Sequence, residues 1–348
     1  MEKTKKIKKT IRNLIIFILL IVLTFTLILK DQDTAEIFNI IKNVKKQYLL
    51  IGIAAMIIYI VCESLNIGRI LKELGEKSSL LKNIKYTLTG FFFSSITPAA
   101  SGGQPMEIYY MHKDKISVAN STLALLMQLC SMQIVTILMG IISVIINFSL
   151  VKNGLILLFL LGIILNSTAL ILLIIAIFSK RLSEGLVKFA VKVLKLFRIP
   201  KIEEKQEKLE KELKSYQDSA IYIKSHKILM LKTLLTTVVQ IIVYYSIPYW
   251  VYRAFDFNTL NIWNLITLQA LLYATVSGIP SPGAVGVSEG GFLGIFRNAF
   301  PDTVISSAML LNRGINFYLL VLVSGVVVTV NALKDRKEDA QTEDILNN

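Results

Sequence analysis

The stretch Gly278-Ile-Pro-Ser-Pro-Gly-Ala-Val-Gly-Val-Ser-Glu-Gly-Gly291 interrupts a hydrophobic run that begins near Ile262 and continues to Phe300. Proline removes a backbone donor and glycine carries excess backbone entropy, so neither residue is favoured inside a helix. Within a membrane, broken backbone survives only where it is buried in protein or lines a cavity. The stretch therefore predicts an interrupted helix beside a cavity of a membrane protein.

A second break of the same kind lies earlier, at residues 97–107. Both breaks contain a Pro-x-x-x-Gly core, at Pro98–Gly102 and Pro282–Gly286, and each core is followed by a glutamate. The glycine-to-glutamate spacing differs by two residues, because the glutamates are Glu107 and Glu289. Interrupted hydrophobic segments in matching positions of two halves are the best sequence indication of a transporter binding site.

Composition places the chain among helical membrane proteins. Of its 348 residues 54% are hydrophobic and 18% are charged, and the mean hydropathy is +0.61. Several apolar runs are long enough to cross about 30 Å of hydrocarbon. The net charge of +14 is typical of lysine-rich cytoplasmic loops, and no nucleic-acid partner is predicted. No nucleotide-binding, hydrolase or zinc-protease motif is present, so neither a catalytic residue, a cofactor nor a metal site is predicted.

The lysine distribution predicts an all-α protein with about six membrane spans and two re-entrant hairpins in an inverted repeat. The N-terminus is basic and is predicted to lie inside. The predicted spans are 11–29, 48–67, 118–148, 155–178, 228–252 and 304–332. The predicted organisation is an N-terminal anchor (1–30), a first half (31–179) with a hairpin at 86–111, a cytoplasmic linker (180–227), a second half (228–333) with a hairpin at 262–300, and a cytoplasmic tail (334–348).

The linker combines two helical patterns. Apolar residues recur at helical spacing on one face and lysines occupy the other, which predicts a basic amphipathic helix on the inner leaflet. The apolar residues are Leu186, Ala190, Val193 and Phe197. Residues 204–214 then carry Glu–Lys pairs at i, i+4, which indicate a solvated helix that joins the halves.

Several side chains near the breaks are candidates for a site. A half-helix that starts inside the membrane directs free N–H groups into the cavity and favours anions such as phosphate. Pro105 and Glu107 are expected in the first turn of one such helix, and Ser288 is a plausible N-cap of the other. Gly286, Gly290 and Gly294 would form a smooth stripe for close backbone approach. These residues can instead serve only to shape the hairpins and cap the helices.

Arg313 lies too deep in the last span to reach water easily, and it has three candidate partners: Glu289, Glu107 or a lipid phosphate. Three glutamines in the spans, Gln128, Gln133 and Gln240, either line the same cavity or form hydrogen bonds between helices.

Segments 94–107 and 279–290 resemble signatures of the flippase-like integral membrane family. That family includes the transmembrane region of lysylphosphatidylglycerol synthases and the membrane part of an archaeal glycosyltransferase group. The resemblance extends over about residues 10–335. In the full synthases a cytosolic domain transfers lysine from lysyl-tRNA to phosphatidylglycerol, and the membrane region is thought to move the product between leaflets. The chain ends at Asn348, and we expect no room for the synthase domain.

The resemblance implies functional roles for residues of both breaks. These are Pro98, Gly102, Gly103, Pro105 and Glu107 in the first break, and Pro282, Gly283, Gly286 and Glu289 in the second. Their chemistry adds Ser288 and Arg313 as candidate substrate-binding residues.

The leading hypothesis is a translocator of a polar or aminoacylated phospholipid, or of a lipid-linked substrate, in the cell membrane with both termini cytoplasmic. The alternative is a phosphatidylglycerol lysyltransferase-family protein that acts as an enzyme or as the membrane partner of a separate synthase. The partners that follow are a membrane lipid, a synthase and a second copy of the chain.

Overall fold

The computed structural model describes residues 34–97, 100–148, 156–196, 202–277, 279 and 281–347, together with Thr26. The described residues are helical and contain no strand. The helices are α1 (Thr34–Asn43), α2 (Lys46–Glu73), α3 (Leu80–Ser95), α4 (Gly103–Lys113), α5 (Val118–Ile146), α6 (Ile156–Phe178), α7 (Lys180–Leu196), α8 (Ile202–Ser225), α9 (Lys227–Tyr245), α10 (Ile247–Ala254), α11 (Ile262–Val276), α12 (Val287–Ile295), α13 (Ile305–Arg313) and α14 (Leu319–Asn347).

Five segments in the described part of the chain are long and apolar enough to cross a membrane. They are 23 to 30 residues long, which exceeds the roughly 20 residues that a bilayer core requires. The five are Lys46–Glu73, Val118–Ile146, Ile156–Phe178, Lys227–Ala254 and Ile305–Lys334. They confirm an all-α integral membrane protein, and they match five of the predicted spans. The predicted span at 11–29 lies outside the described residues.

The two breaks separate helices that are too short to span. Helices α3 and α4 have 16 and 11 residues, and α11 and α12 have 15 and 9. At about 1.5 Å per residue none of them reaches the roughly 30 Å of the hydrocarbon core. Within each pair the two helices pack on each other, as the arms of a hairpin would. The first arm begins at Leu80, earlier than the expected start at Tyr86.

The two halves exchange equivalent contacts. Helix α2 packs on α9, the first span of the second half. The first hairpin arm α3 packs on α14, and the second hairpin arm α11 packs on α5. Each arm therefore contacts the span that follows the hairpin of the opposite half, which is the reciprocal pattern that an internal two-fold repeat predicts.

The backbone breaks meet in the interior of this bundle. Ile96, at the end of α3, and Val285, between the two arms of the second hairpin, belong to one buried apolar cluster with Phe317. All three side chains are less than a tenth exposed. This packing brings segments nearly 200 residues apart in the sequence to the wall of one cavity.

The linker helices α7 and α8 follow the first half. The exposed Glu207–Lys211 pair, at 2.7 Å, confirms solvated character at the start of α8. Further along, α8 packs on α5 and buries Ala220 and Ile223. The helix thus extends beyond the residues 204–214 that predict a solvated helix, and its second half is packed against the bundle. The apolar side chains predicted for the inner-leaflet face of α7 lie outside the described residues.

Asp114 follows the last residue of α4 and links this arm of the first hairpin to the other arm, α3. Its carboxylate accepts hydrogen bonds from Lys85 Nζ at 2.7 Å and from the Tyr86 hydroxyl at 2.5 Å. Burial acts to raise the pKa of Asp114, but these bonds and the charges of Lys85 and Lys82 outweigh it and lower the pKa. A depressed pKa in the folded state adds stability that is present above the unfolded pKa and is lost as pH falls through the folded value.

We expect Asp114→Asn to lower the free energy of unfolding by about 1 kcal/mol at neutral pH, since the ion pair is partly solvated. The difference from the unsubstituted protein should disappear in acid. Thermal unfolding in detergent at a series of pH values measures both effects. Asp218→Asn, on the exposed face of α8, is the matched control. A stability difference independent of pH would contradict the assignment.

Candidate functional site

A cavity of about 450 Å³ lies between the two breaks. Helices α2, α3, α4, α5, α9, α11, α12, α13 and α14 contribute to its wall, together with residues of the second break. Its acidic side chains are Glu63 and Glu107, and its amide side chains include Gln104, Gln269, Asn312 and Asn316. A volume of this size is in the range of small-molecule binding sites.

Glycines bring the arms of the first hairpin together. A side chain at Gly103 would overlap the Ser94 hydroxyl and approach the Gly90 carbonyl, so α4 can lie against α3 only with glycine there. The Gly102 N–H donates to Thr97 Oγ1 at 2.9 Å. Pro105 is the third residue of α4, where its missing N–H costs no helical bond. Pro98 lies outside the described residues.

Glu107 is the fifth residue of α4, just beyond its first turn. The prediction that it lies in the first turn is therefore wrong, and it does not cap the helix. Its side chain lies over Gly90, where a Cβ would overlap the carboxylate. Glu107 is 5% exposed, and its Oε2 has no hydrogen-bond partner among the described residues. The carboxylate therefore faces the cavity with an unused acceptor.

The second break is shaped by left-handed glycines. Pro282 begins a short 3₁₀ turn, Gly283 has φ +59° and Gly286 has φ +85°. L-residues rarely adopt these angles. Phe317 lies against Gly283, where a Cβ would overlap its ring. The Gly283 carbonyl accepts a hydrogen bond from Arg313 Nη2 at 3.0 Å.

Glu289 is fully buried and fully bonded. As the third residue of α12, it accepts the Gly286 N–H at Oε2 (2.8 Å), which forms half of a capping box. Its Oε1 accepts from Arg313 Nε and from the Tyr318 hydroxyl, both at 2.8 Å. Of the three partners considered for Arg313, the structure has Glu289. Gly286 is the N-cap, so the prediction of Ser288 as N-cap is wrong; Ser288 lines the cavity instead.

The two glutamates are not equivalent, and the reason is their spacing. Three residues after Gly286, Glu289 reaches back to the free N–H at the start of its helix. Five residues after Gly102, Glu107 points from the next turn and cannot reach the corresponding N–H, which Thr97 satisfies. The two-residue difference converts a capping carboxylate into one that faces the cavity.

The predicted glycine stripe has a different role. Nothing in the described part of the chain lies within 4 Å of a Cβ added at Gly290 or Gly294, so neither supports a close backbone approach. The close contact is at Gly291, where a Cβ would press on Leu272 of α11. The stripe prediction is wrong because the face of α12 that packs on α11 is the one bearing Gly291.

The intramembrane glutamines bond between helices. Gln128 Nε2 donates to Gln240 Oε1 at 3.3 Å, and Gln133 Nε2 donates to the Asn166 carbonyl at 2.9 Å. Gln240 Nε2 in turn donates to Glu63 Oε2 at 3.2 Å. The three glutamines support the wall of the cavity and do not belong to its lining.

Sequence reasoning missed Glu63 and the amides of the cavity. Glu63 on α2 is an acidic residue in an apolar span, and that alone marks a functional candidate. Gln269 of α11 and Asn312 of α13 carry ordinary helix-compatible side chains and give no such signal. Together with Glu107 Oε2, the atoms Gln269 Oε1, Asn312 Oδ1 and Asn316 Oδ1 are buried without a described partner. Among the fully buried side-chain atoms of this lining that the structure describes, those without a partner are all acceptor oxygens.

The sequence profile of the lysylphosphatidylglycerol synthase TM region matches residues 12–324, which include both breaks and the cavity. The chain belongs to this family. It is also similar to the UPF0104 membrane protein of Archaeoglobus fulgidus, with 23% identity over 328 residues, or 92% of this chain and 97% of the relative. These matches confirm the family resemblance, and a multi-pass membrane protein follows from them and from the five described spans. The lysylphosphatidylglycerol synthase TM region is thus the framework that carries the cavity.

Proposed function

We propose that this member of the lysylphosphatidylglycerol synthase TM-region family moves a phospholipid with a cationic, aminoacylated headgroup between leaflets of the cell membrane. The observation that carries the proposal is the lining of the cavity, in which four buried acceptor oxygens lack a donor. Buried polar groups without partners are costly, so the cavity favours a ligand that donates hydrogen bonds. An ammonium group supplies three donors and a positive charge.

The tyrosines of the wall suit the same ligand. Tyr59, Tyr244 and Tyr273 line the cavity, and the ring centroids of Tyr59 and Tyr244 lie 4.9 Å apart. Aromatic faces attract ammonium groups, more strongly where water is scarce. The N–H groups of Gly102 and Gly286 are already bonded to Thr97 and Glu289. These two N–H groups are therefore less available to an anion than the broken helices predict. The buried acceptor oxygens of the lining instead favour a cationic headgroup.

Reconstituted vesicles test the proposal directly. We expect labelled lysylphosphatidylglycerol to exchange between leaflets faster than in protein-free vesicles, as read by a membrane-impermeant amine reagent. Phosphatidylglycerol, which lacks the ammonium groups, should gain less from the protein. Equal distribution kinetics with and without folded protein would reject the proposal.

The variant Gly90→Ala targets the cavity while sparing the fold. Its methyl group would overlap the Glu107 carboxylate, which is the flexible end of a side chain and can move into the cavity. We expect the exchange rate to fall by about tenfold or more, the loss expected for misplacing a binding group by about 1 Å. The matched control is Gly294→Ala, where the added methyl group meets open space. Equal rates in both variants would contradict a role for Glu107.

The family gives a second candidate, because it is named for the transmembrane region of a synthase. The chain would then supply the membrane pocket for a separate synthase, or would itself catalyse lysyl transfer. Copurification of the synthase from cells tests the first, and incubation of the pure chain with lysyl-tRNA and phosphatidylglycerol tests the second.

The orientation proposed for the translocator, with both termini cytoplasmic, predicts that cysteines introduced near residues 113 and 301 react from opposite sides of the membrane.

A further inference from the structure

The cavity holds two carboxyl groups whose charge is not balanced by a cation in the described structure. Glu63 Oε2 accepts a hydrogen bond from Gln240 Nε2 at 3.2 Å. Glu107 leaves Oε2 without a described partner. The basic side chain of the lining is Arg313, and it is engaged by Glu289 and the Gly283 carbonyl.

The carboxyl groups of Glu63 and Glu107 line the same cavity of about 450 Å³. Two negative charges that share a site of low dielectric repel each other, and one of them takes up a proton in preference to both being ionised. The aspartic protease dyad is a known example of such a shared proton. A protonated carboxyl also supplies the donor that neighbouring acceptors need.

A second observation indicates that the same cavity favours a hydrogen-bond donor. Asn312 Oδ1 and Asn316 Oδ1 line the cavity and have no described partner, and these side chains are 1% and 4% exposed. Both oxygens are acceptors and carry no positive charge. Neither of them can therefore donate a hydrogen bond to the two carboxyl groups or neutralise them.

The surroundings contain few other groups that could titrate in their place. Besides the two glutamates, four described side chains of the lining are titratable or charged. They are Tyr59 on α2, Tyr244 on α9, Tyr273 on α11 and Arg313 on α13. The wall that α3 and α5 contribute is apolar apart from hydroxyl groups. Lys85 and Tyr86, at the inner end of α3, are bonded to Asp114 instead.

We propose that Glu63 and Glu107 together bind one exchangeable proton, and that the proton leaves when a cationic headgroup occupies the cavity. The step is an exchange of like charges. The carboxylic O–H bond breaks, the proton passes to the water that reaches the cavity, and the headgroup ammonium becomes the counter-charge of the carboxylates. Return of the empty cavity with a proton bound then couples lipid movement in one direction to proton movement in the other. The coupling rests on the proposed function, whereas the proton site does not.

Proton release from the unsubstituted protein tests the proposal first. Lysylphosphatidylglycerol added to the full chain in weakly buffered detergent should release about one proton per bound lipid, as read by a pH indicator. Phosphatidylglycerol should release none. Binding without proton release would overturn the proposal.

Infrared difference spectroscopy on the purified full chain tests the site without transport. A carbonyl band of a protonated carboxylic acid should titrate in the unsubstituted protein, and it should be lost in both Glu63→Gln and Glu107→Gln. Glu207→Gln, in the exposed ion pair on α8, should leave the band unchanged. A band that survives both cavity substitutions, or that does not titrate, would overturn the proposal. If either variant fails to fold, the proton-release measurement still decides.

Vesicles with and without a pH difference separate the two proposals. If lysylphosphatidylglycerol exchanges between leaflets but an imposed pH difference leaves its final distribution unchanged, translocation stands and the coupling is rejected. If nothing is transported while the titrating band depends on both glutamates, translocation is rejected and the proton site is supported.

Discussion

Arg313→Met is expected to lower the free energy of unfolding by about 3–5 kcal/mol, the usual cost of removing one partner of a buried ion pair. Arg313 and Glu289 are 6% and 0% exposed, and their Nε and Oε1 atoms are 2.8 Å apart. The substitution also removes the bond to the Gly283 carbonyl and the contact of the guanidinium with the Phe317 ring, 4.1 Å from its centroid. Thermal and denaturant unfolding in detergent micelles measure the loss.

A double-mutant cycle shows whether the loss comes from an uncompensated charge. Glu289→Gln should also lower the free energy of unfolding. The loss in the double variant should be smaller than the sum of the two single losses, because no unpaired charge then remains buried. Arg297→Met is the matched control, since the Arg297–Asp302 pair is exposed and should contribute almost nothing. Additive effects in the cycle would contradict the pairing.

A glutamate that only bound substrate could be changed to glutamine with loss of transport and no loss of folding. Glu289 instead caps α12 and neutralises Arg313. We therefore expect any loss of transport in Glu289→Gln to accompany a loss of stability. The carboxyl groups whose substitution should spare folding are those of the cavity, Glu63 and Glu107.

Gly162→Ala has the second largest expected effect, a loss of about 2 kcal/mol or more. In an isolated helix the change would stabilise by up to about 1 kcal/mol. Here the added methyl group would overlap the backbone carbonyl oxygen of Ala274 on α11. A backbone atom within a helix cannot rotate away, so α6 and α11 must separate, and overpacking of this kind costs about 1–3 kcal/mol or more.

The same substitution should disturb the second break as well as stability. Helix α11 leads directly into that break, and its end is tied to α6 by the bond from Asn166 Nδ2 to Ser277 Oγ at 2.9 Å. Unfolding in detergent and lipid exchange in vesicles should therefore both decline. Gly294→Ala provides the comparison, since its methyl group meets open space and should be neutral or slightly stabilising. Equal stabilities of the two variants would show that the α6–α11 contact is not tight.

Much of the fold was predictable because each deciding signal is local. Long apolar runs identify the spans, and the clustered prolines and glycines identify both breaks without any tertiary information. The shapes of the breaks follow in part from the same residues: Gly283 and Gly286 adopt the positive φ angles that glycine permits. Glycine content alone could not tell Gly291 and Gly162, which face a neighbour, from Gly290 and Gly294, which do not.

The sequence by itself determined that the chain is a helical membrane protein with two interrupted helices, because hydrophobic length and backbone conformational preference act over a few residues. Only the tertiary structure decided which buried charges neutralise each other and which remain in the cavity. Glu289 and Arg313 meet across two helices, whereas Glu63 and Glu107 face a common space without a described cation. Electrostatic energy at membrane depth depends on distances between residues far apart in the chain, and those distances exist only after the two halves have packed.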